Sequence, residues 1–347
     1  MAQKVKEKKN TFTPLTIVLL VFLCIYCLSL FYLLAWGLFT SFKVNEEVFK
    51  VAPSSFLWDY DSYIAKWQEA VNNASTRLEK RKWNVYITSL NEALAEMGGK
   101  KWLLPFHTYK NIFTQFVVDT DPMPGMPPRE VGMPQMYLYS LLYAGGCGIA
   151  ATFVPCITAY ACARFKYKFS RIVHTTVIIV MMIPIVGSLP SEIKMAQSTG
   201  VMNQIWGLWI MRANFLGLYF LVFYDVCKAL PMSFSEAAKI DGANNFQIFF
   251  QIAMPLIKNT FMTIFLIKFI AFWNDYQAAM IFMPSYPTVA FGLNRIMNIN
   301  ADSTRYNHQM IPARLSAVVM TATPVCILFA IFQKRLLGNL TVGGVKG

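Results

Sequence analysis

Three adjacent residues, Trp273, Asn274 and Asp275, stand inside an apolar run at 259–283. An aromatic face beside a carboxylate and an amide suits a sugar ring, because the π-face takes C–H groups and the polar atoms take hydroxyls. The same side chains serve equally well to hold one helix against another. A carboxylate in hydrocarbon costs about 2.5–3.5 kcal/mol on insertion scales, so Asp275 is expected to face protein or water. Glu192, Lys194 and Arg212 fall near the ends of apolar runs, where long side chains can snorkel. Other chemistries lack their residues. His107, His174 and His308 have no metal-ligand spacing, so no metal site is assigned. No nucleophile motif of the G-x-S-x-G kind occurs, and no catalytic residue is assigned. Gly98-Gly99-Lys100-Lys101 lacks the upstream Gly and the following Ser or Thr of a phosphate loop, so this chain is not expected to hydrolyse ATP alone.

A second polar group lies between two apolar runs. Ser233 and Glu236 make the S-x-x-E of a capping box, with Pro231 just upstream. The helix so started is short, because Gly242 is a natural stop. Ala237 and Ala238 leave its first turn without bulk, so a partner backbone could approach closely. Asn244 or Asn245 can cap a second helix running to Met254, which Pro255 is expected to interrupt.

The elements that must carry these groups are membrane spans. Apolar residues make up 56% of the 347 and charged residues only 14%, against about 25% charged in a soluble domain. Six runs are long enough to cross a bilayer, at 14–40, 137–163, 172–193, 204–227, 259–283 and 313–333. Prolines 155, 184 and 324 lie inside them, as membrane helices tolerate. Gly145, Gly146 and Gly148, with Ala144, Ala150 and Ala151, form a small-residue patch that marks the second run as packed within the bundle. The first run is too long for a cleaved leader and lacks a small-residue cleavage site. Cysteines 24, 27, 147, 156, 162, 227 and 326 all fall in or beside apolar runs, which argues against a disulfide framework. The net charge of +13 is spread over the ends of the runs and does not form one stripe. Membrane orientation and anionic lipid explain it better than nucleic acid does.

Lys4, Lys6, Lys8 and Lys9 precede the first run. Arg164, Lys166, Lys168 and Arg171 follow the second, and Lys334 and Arg335 end the last. With six spans these places share one side, the cytoplasm, and the segment at 233–255 falls there too. The expected organisation is a cytoplasmic tail at 1–13, a first transmembrane helix at 14–43, an extracytoplasmic insertion at 44–136 and a five-helix core at 137–347. The core includes a polar loop at 229–257, a coupling loop by the resemblance given below, and a cytoplasmic tail at 334–347. The insertion carries 11 of the 18 acids and 10 basic residues, so its charge nearly cancels. Ile64, Trp67, Val71, Ala74 and Leu78, then Trp83, Ile87, Leu90, Leu94 and Met97, recur at helical spacing. The rhythm slips at Lys80–Lys82, which predicts two helices or one with a break. Asp61 is a plausible N-cap and Gly98-Gly99 a plausible stop. Pro122, Pro124, Pro127 and Pro128, with Gly125, make an irregular linker. The insertion reads as a structural cap or as a docking surface for an external protein.

Glu236-Ala237-Ala238, Asp241-Gly242 and Pro255 together resemble the EAA loop of ABC importer permeases. Tyr160-Ala-Cys-Ala-Arg164-Phe, Met181-Met-Ile-Pro184, Trp273-Asn274-Asp275, Leu104–Phe113 and the tail Leu340–Gly347 are similar to further patterns of the carbohydrate-uptake, maltose-permease-like type I family. The resemblance covers nearly the whole chain except about residues 58 to 100. It implies an all-α integral membrane fold with six transmembrane helices, a cytoplasmic coupling helix and a helical extracytoplasmic insertion after the first span. It further implies the permease subunit of an ATP-driven, binding-protein-dependent importer of a sugar or oligosaccharide in a bacterial cell membrane, with both termini cytoplasmic. The partners it implies are a second homologous permease subunit, two cytosolic ATP-binding subunits and an extracytoplasmic solute-binding protein. ATP and magnesium would sit on the ATPase subunits, with no cofactor on this chain. Gly343, Gly344, Val345 and Lys346 would lie near the ATPase interface. Two other classes compete. An ion-coupled secondary carrier would need buried carboxylates on several spans, where only Asp225 and Asp275 are candidates. A membrane enzyme acting on glycans would need convergent acids in the insertion, where they are scattered.

Overall fold

The computed structural model describes residues 14–43, 60–120, 129–165, 167–183, 187–298 and 311–340. Helix α1 (Pro14–Ser41) is followed by α2 (Tyr60–Asn73), α3 (Arg77–Glu96), a 3-10 turn (Lys101–Phe106) and α4 (His107–Gln115). Two short strands, β1 (Val117–Asp119) and β2 (Glu130–Gly132), precede α5 (Met133–Arg164). Next come α6 (Lys168–Met182), α7 (Leu189–Ser198), α8 (Ile205–Met211), α9 (Leu218–Ala229) and α10 (Met232–Ile240). The chain continues through α11 (Asn245–Trp273), α12 (Tyr276–Phe282), α13 (Val289–Asn298) and α14 (Ile311–Leu340). Two compact units divide it: residues 1–110 with 307–319, and residues 111–306 with 320–347.

In the first unit, α1 is apolar all round and exposed along nearly its whole length, as a helix in contact with lipid would be. Its end is pinned by polar contacts. The Ser316 hydroxyl donates to the Ser41 carbonyl at 2.6 Å, and Thr108 donates to the Lys43 carbonyl at 3.1 Å. The hairpin of α2 and α3 has its own core of Trp67, Leu90, Ala93 and Leu104. Its break falls at Ala74-Ser75 and not at Lys80–Lys82. Thr76 opens α3 with a reciprocal capping box: the Glu79 N–H donates to its hydroxyl and its own N–H donates to the Glu79 carboxylate, both at 3.3 Å. These bonds hold the Glu79 carboxyl below its ordinary range, the Thr76 backbone contributing most. The box rotates the start of α3, so Leu78 is 79% exposed and not on the apolar face. Asp61 is not a cap either. It lies in the first turn of α2 and pairs with Lys101 at 2.6 Å. Gly98 and Gly99 do stop α3, with φ of 67° and 72°. Trp67→Ala should cost the hairpin about 3–5 kcal/mol, read as faster proteolysis between residues 60 and 106, while Leu78→Ser should change little.

In the second unit α5 is the central post. The small-residue patch is where neighbours come close. A Cβ on Gly146 would lie 2.2 Å from the Trp209 ring of α8, and one on Gly148 would lie 3.2 Å from the Phe265 ring of α11. Pro155 and Pro324 lie inside α5 and α14 without ending them. The expected all-α character needs one correction. Val117-Val118 pairs antiparallel with Val131-Gly132, because Val118 and Val131 bury one face of a two-stranded ladder. The Pro-rich segment expected as a linker lies largely outside the described residues.

Four helices among the described residues are long and apolar enough to cross a bilayer: α1, α5, α11 and the Ile311–Gln333 part of α14. The runs at 172–193 and 204–227, expected to be continuous, are each divided. The first splits into α6 and α7; Pro184 lies outside the described residues. The second breaks between α8 and α9, where Gly217 takes a φ of 145° that a helix cannot continue through. The run at 259–283 also changes. Its helix starts earlier, at Asn245, stops at Trp273 and restarts as α12.

Candidate functional site

The segment at 233–255 folds as two helices joined by two interlocked caps. α10 begins at Met232, one residue after Pro231, whose ψ of 134° is extended. Ser233 therefore lies inside the first turn and makes no cap; the expected box with Glu236 does not form, because Pro231 occupies the N-cap position. The other end follows the sequence closely. Gly242 has φ +83°, its N–H donates to the Lys239 carbonyl at 3.1 Å, and the Ala243 N–H donates to the Ala238 carbonyl at 2.9 Å. This is a Schellman stop. Asn244, not Asn245, opens α11. Its side chain accepts from the Gln247 N–H at 2.8 Å, and its own N–H donates to the Gln247 side chain at 2.7 Å.

Pro255 does not interrupt α11. Residues Ile248–Ala253 widen into a π turn, and the helix continues to Trp273. The wider turn supplies room where a proline ring would crowd the carbonyl of the preceding turn. It also anchors the segment. The Phe249 ring packs, tilted, against Tyr160 of α5 with centroids 4.9 Å apart, within a buried cluster that includes Val177, Phe220 and Ile257.

Glu236, Ala237, Asp241, Gly242 and Pro255 are exposed, while Ala238 is buried within the chain, on the face of α10 that meets the π turn. The smallness of Ala238 thus answers to its own chain, and Ala237 alone keeps a free small side chain. Sequence reasoning missed the apolar groups around it. Phe234 is 50% exposed, Ile240 86% and Phe246 71%. Spacing of three along α10 aligns Phe234, Ala237 and Ile240 on one side, a pattern the sequence already contained. Gly343, Gly344, Val345 and Lys346 lie outside the described residues.

The three polar residues near the end of α11 separate. Trp273 is buried, stacks on Phe269 at 5.7 Å and donates its indole N–H to the Thr321 carbonyl at 3.0 Å. Asn274 folds back on the Ile270 carbonyl at 3.0 Å. Asp275 caps α12, accepting from the Ala278 N–H at 3.0 Å and from the Tyr143 hydroxyl at 3.3 Å. Asp275 lines a cavity of about 420 Å³, which it shares with Arg212, Lys268, Tyr219 and Phe272 and which neither Trp273 nor Asn274 lines. The Lys268 ammonium sits 4.6 Å from the Tyr219 ring centre, and Arg212 lies 3.8 Å from Glu192. Arg212 is therefore more than a snorkelling terminus. Lys268, two helical turns before Asp275 in an apolar run, was the signal for this cavity that the sequence offered. Hydrogen-bonding heads beside aromatic faces are what a polyhydroxylated solute needs.

Comparison with known proteins places these features in a family. A model of the inner membrane component of binding-protein-dependent transport systems matches residues 151–340, which include both α10 and Asp275. The melibiose/raffinose/stachyose import permease protein MelC of Bacillus subtilis is 29% identical over 255 residues, 71% of this chain and 84% of that protein. The maltodextrin transport system permease protein MalD of Streptococcus pneumoniae is 27% identical over 260 residues, 70% of this chain and 81% of that protein. A solved bacterial ABC transporter involved in import of the acidic polysaccharide alginate aligns with TM-score 0.49 at 20% identity, over 75% of this chain and 98% of that one. With a family model spanning more than half its length, the chain belongs to the inner membrane components of binding-protein-dependent transport systems.

Proposed function

We propose that this chain is a permease subunit of an ATP-driven importer for a sugar or oligosaccharide. The observation that carries the reading is the rigid α10 joint, with Phe234, Ala237 and Ile240 facing outward, inside the family-matched region. In this reading a cytosolic ATPase docks on that face, and a second permease subunit completes the path. An extracytoplasmic binding protein delivers the solute. The divided pairs α6 with α7 and α8 with α9 supply the two further crossings, giving six, with both termini in the cytoplasm. The relatives named for import of oligosaccharides support the substrate class. The chain carries no phosphate loop, so ATP and magnesium belong to the partner. Reconstitution tests it: vesicles holding this chain alone should show neither ATP hydrolysis nor solute flux, and the full complex should show both. Flux through this chain alone would replace the reading with a secondary carrier.

Asp275 is assigned to the solute path. Asp275→Asn keeps an oxygen acceptor for the α12 cap, so assembly should be unchanged. The lost charge should weaken uptake at low solute concentration about tenfold, the scale of a hydrogen bond to a charged group. Uptake in reconstituted vesicles and complex yield are measured together. Lower yield with normal uptake by the surviving complex would make Asp275 structural only.

A further inference from the structure

A second recess, of about 590 Å³, opens where α5 ends and α6 begins, with the end of α9 on its other wall. Arg164, Lys168, Arg171 and Lys228 line it, and no Asp or Glu does. Among the described residues no carboxylate pairs with any of these four. The Arg164 Nε is buried without a hydrogen-bond partner, and its Nη1 meets only the Met232 thioether at 2.6 Å, a weak acceptor. Such a recess repels cations and is built to receive an anion.

Its position selects which anion. Arg164 is the last residue of α5, a helix apolar and long enough to cross a bilayer, so the recess sits at the polar edge of the membrane. Bare apolar side chains adjoin it on α6: Phe169 is 72% exposed and Ile172 61%. They alternate with Lys168 and Arg171, so one short stretch offers cations and lipid-facing apolar surface together. A free phosphate has no use for that apolar border, whereas a lipid has both a charged head and chains. We propose that this recess binds the phosphate headgroup of an anionic phospholipid, with Arg164, Lys168, Arg171 and Lys228 on the phosphate oxygens and the acyl chains along Phe169 and Ile172. The site requires only that α5 crosses the bilayer and is independent of the solute carried.

The test uses the complex purified in mild detergent through a tag on this chain. Phosphatidylglycerol, phosphatidylcholine and inorganic phosphate are titrated separately, and bound lipid is counted by native mass spectrometry. Phosphatidylglycerol should bind saturably and phosphatidylcholine should not. Each basic residue near an anionic lipid surface is worth about fivefold in affinity, so Lys168→Gln with Arg171→Gln should weaken phosphatidylglycerol binding about 25-fold. Lys228→Gln, on a different helix, should weaken it about fivefold, which keeps the test open if the double variant fails to assemble. Arg171→Lys should retain most of the binding. Three results would overturn the proposal: unchanged affinity in the variants, competition by inorganic phosphate at equal concentration, or phosphatidylglycerol binding that appears only after the ATPase subunits are stripped away. The last would assign the recess to a protein partner. Solute-stimulated ATP turnover, measured on the same samples, reports separately on the transport reading.

Discussion

Gly242→Val should uncouple the complex, cutting solute-stimulated ATP turnover more than tenfold while the membrane helices stay folded. The reason is conformational and not steric. A Cβ at this position would meet no atom within 4 Å, but the φ of +83° is one that L residues rarely adopt. The left-handed region costs a non-glycine residue about 1–2 kcal/mol, and β-branching adds to it. The cheapest relief is to release the two bonds from Gly242 and Ala243 to Lys239 and Ala238, which frees the end of α10. Phe234 and Ile240 then no longer present a fixed face. Gly242→Asn should be far milder, since Asn tolerates the left-handed region. ATPase copurification and ATP turnover in reconstituted complex measure both variants. Normal coupling in Gly242→Val would remove α10 from the docking role.

The second large effect is expected inside the bundle. Gly146→Ala should destabilise the complex by about 3 kcal/mol, whereas Gly145→Ala, one residue away, should be neutral. A Cβ on Gly146 would stand 2.2 Å from the Trp209 ring, and a Cβ on Gly145 would meet nothing within 4 Å. The ring cannot simply swing aside, because its N–H is bonded to the Leu142 carbonyl at 3.0 Å. Overpacking and the lost hydrogen bond together set the estimate. Thermal denaturation of the detergent-solubilised complex compares the pair. Equal stability of the two variants would show that α8 does not rest on α5 in this way.

What the sequence revealed and what it hid have physical causes. Gly242 was legible because a glycine after an amphipathic turn has few other uses. Asn244 and Asn245 could not be told apart, since either side chain can cap; the register set by the Schellman turn decides. Thr76-x-x-Glu79 and Ser233-x-x-Glu236 have the same spacing, yet only the first is a box. Pro231 takes the N-cap position two residues before Ser233. Pro255 misled for a related reason: a proline forbids one α-helical bond, and a local π turn avoids that bond altogether. Of Trp273, Asn274 and Asp275, adjacency in sequence could not say which faces a cavity, because the helix ends at Trp273 and Asp275 already belongs to the cap of the next one. Apolar runs marked candidate spans but not their continuity: the chain leaves the helix after Met211, and Gly217, with a φ of 145°, opens the next one.

The joint between α10 and α11 has a consequence for how the chain can vary in length. Only Gly242 and Ala243 separate the Asp241 cap from Asn244, and the N–H of each of the four is tied into a cap hydrogen bond. Side chains on its outer surface can change freely without disturbing those bonds. A single inserted or deleted residue cannot be absorbed there. It would put the stop of α10 and the cap of α11 out of register, carrying Phe234 and Ile240 off their face while Phe249 stays held against Tyr160. The length of this turn is therefore far less free to drift than its composition, the reverse of what holds for an ordinary surface loop.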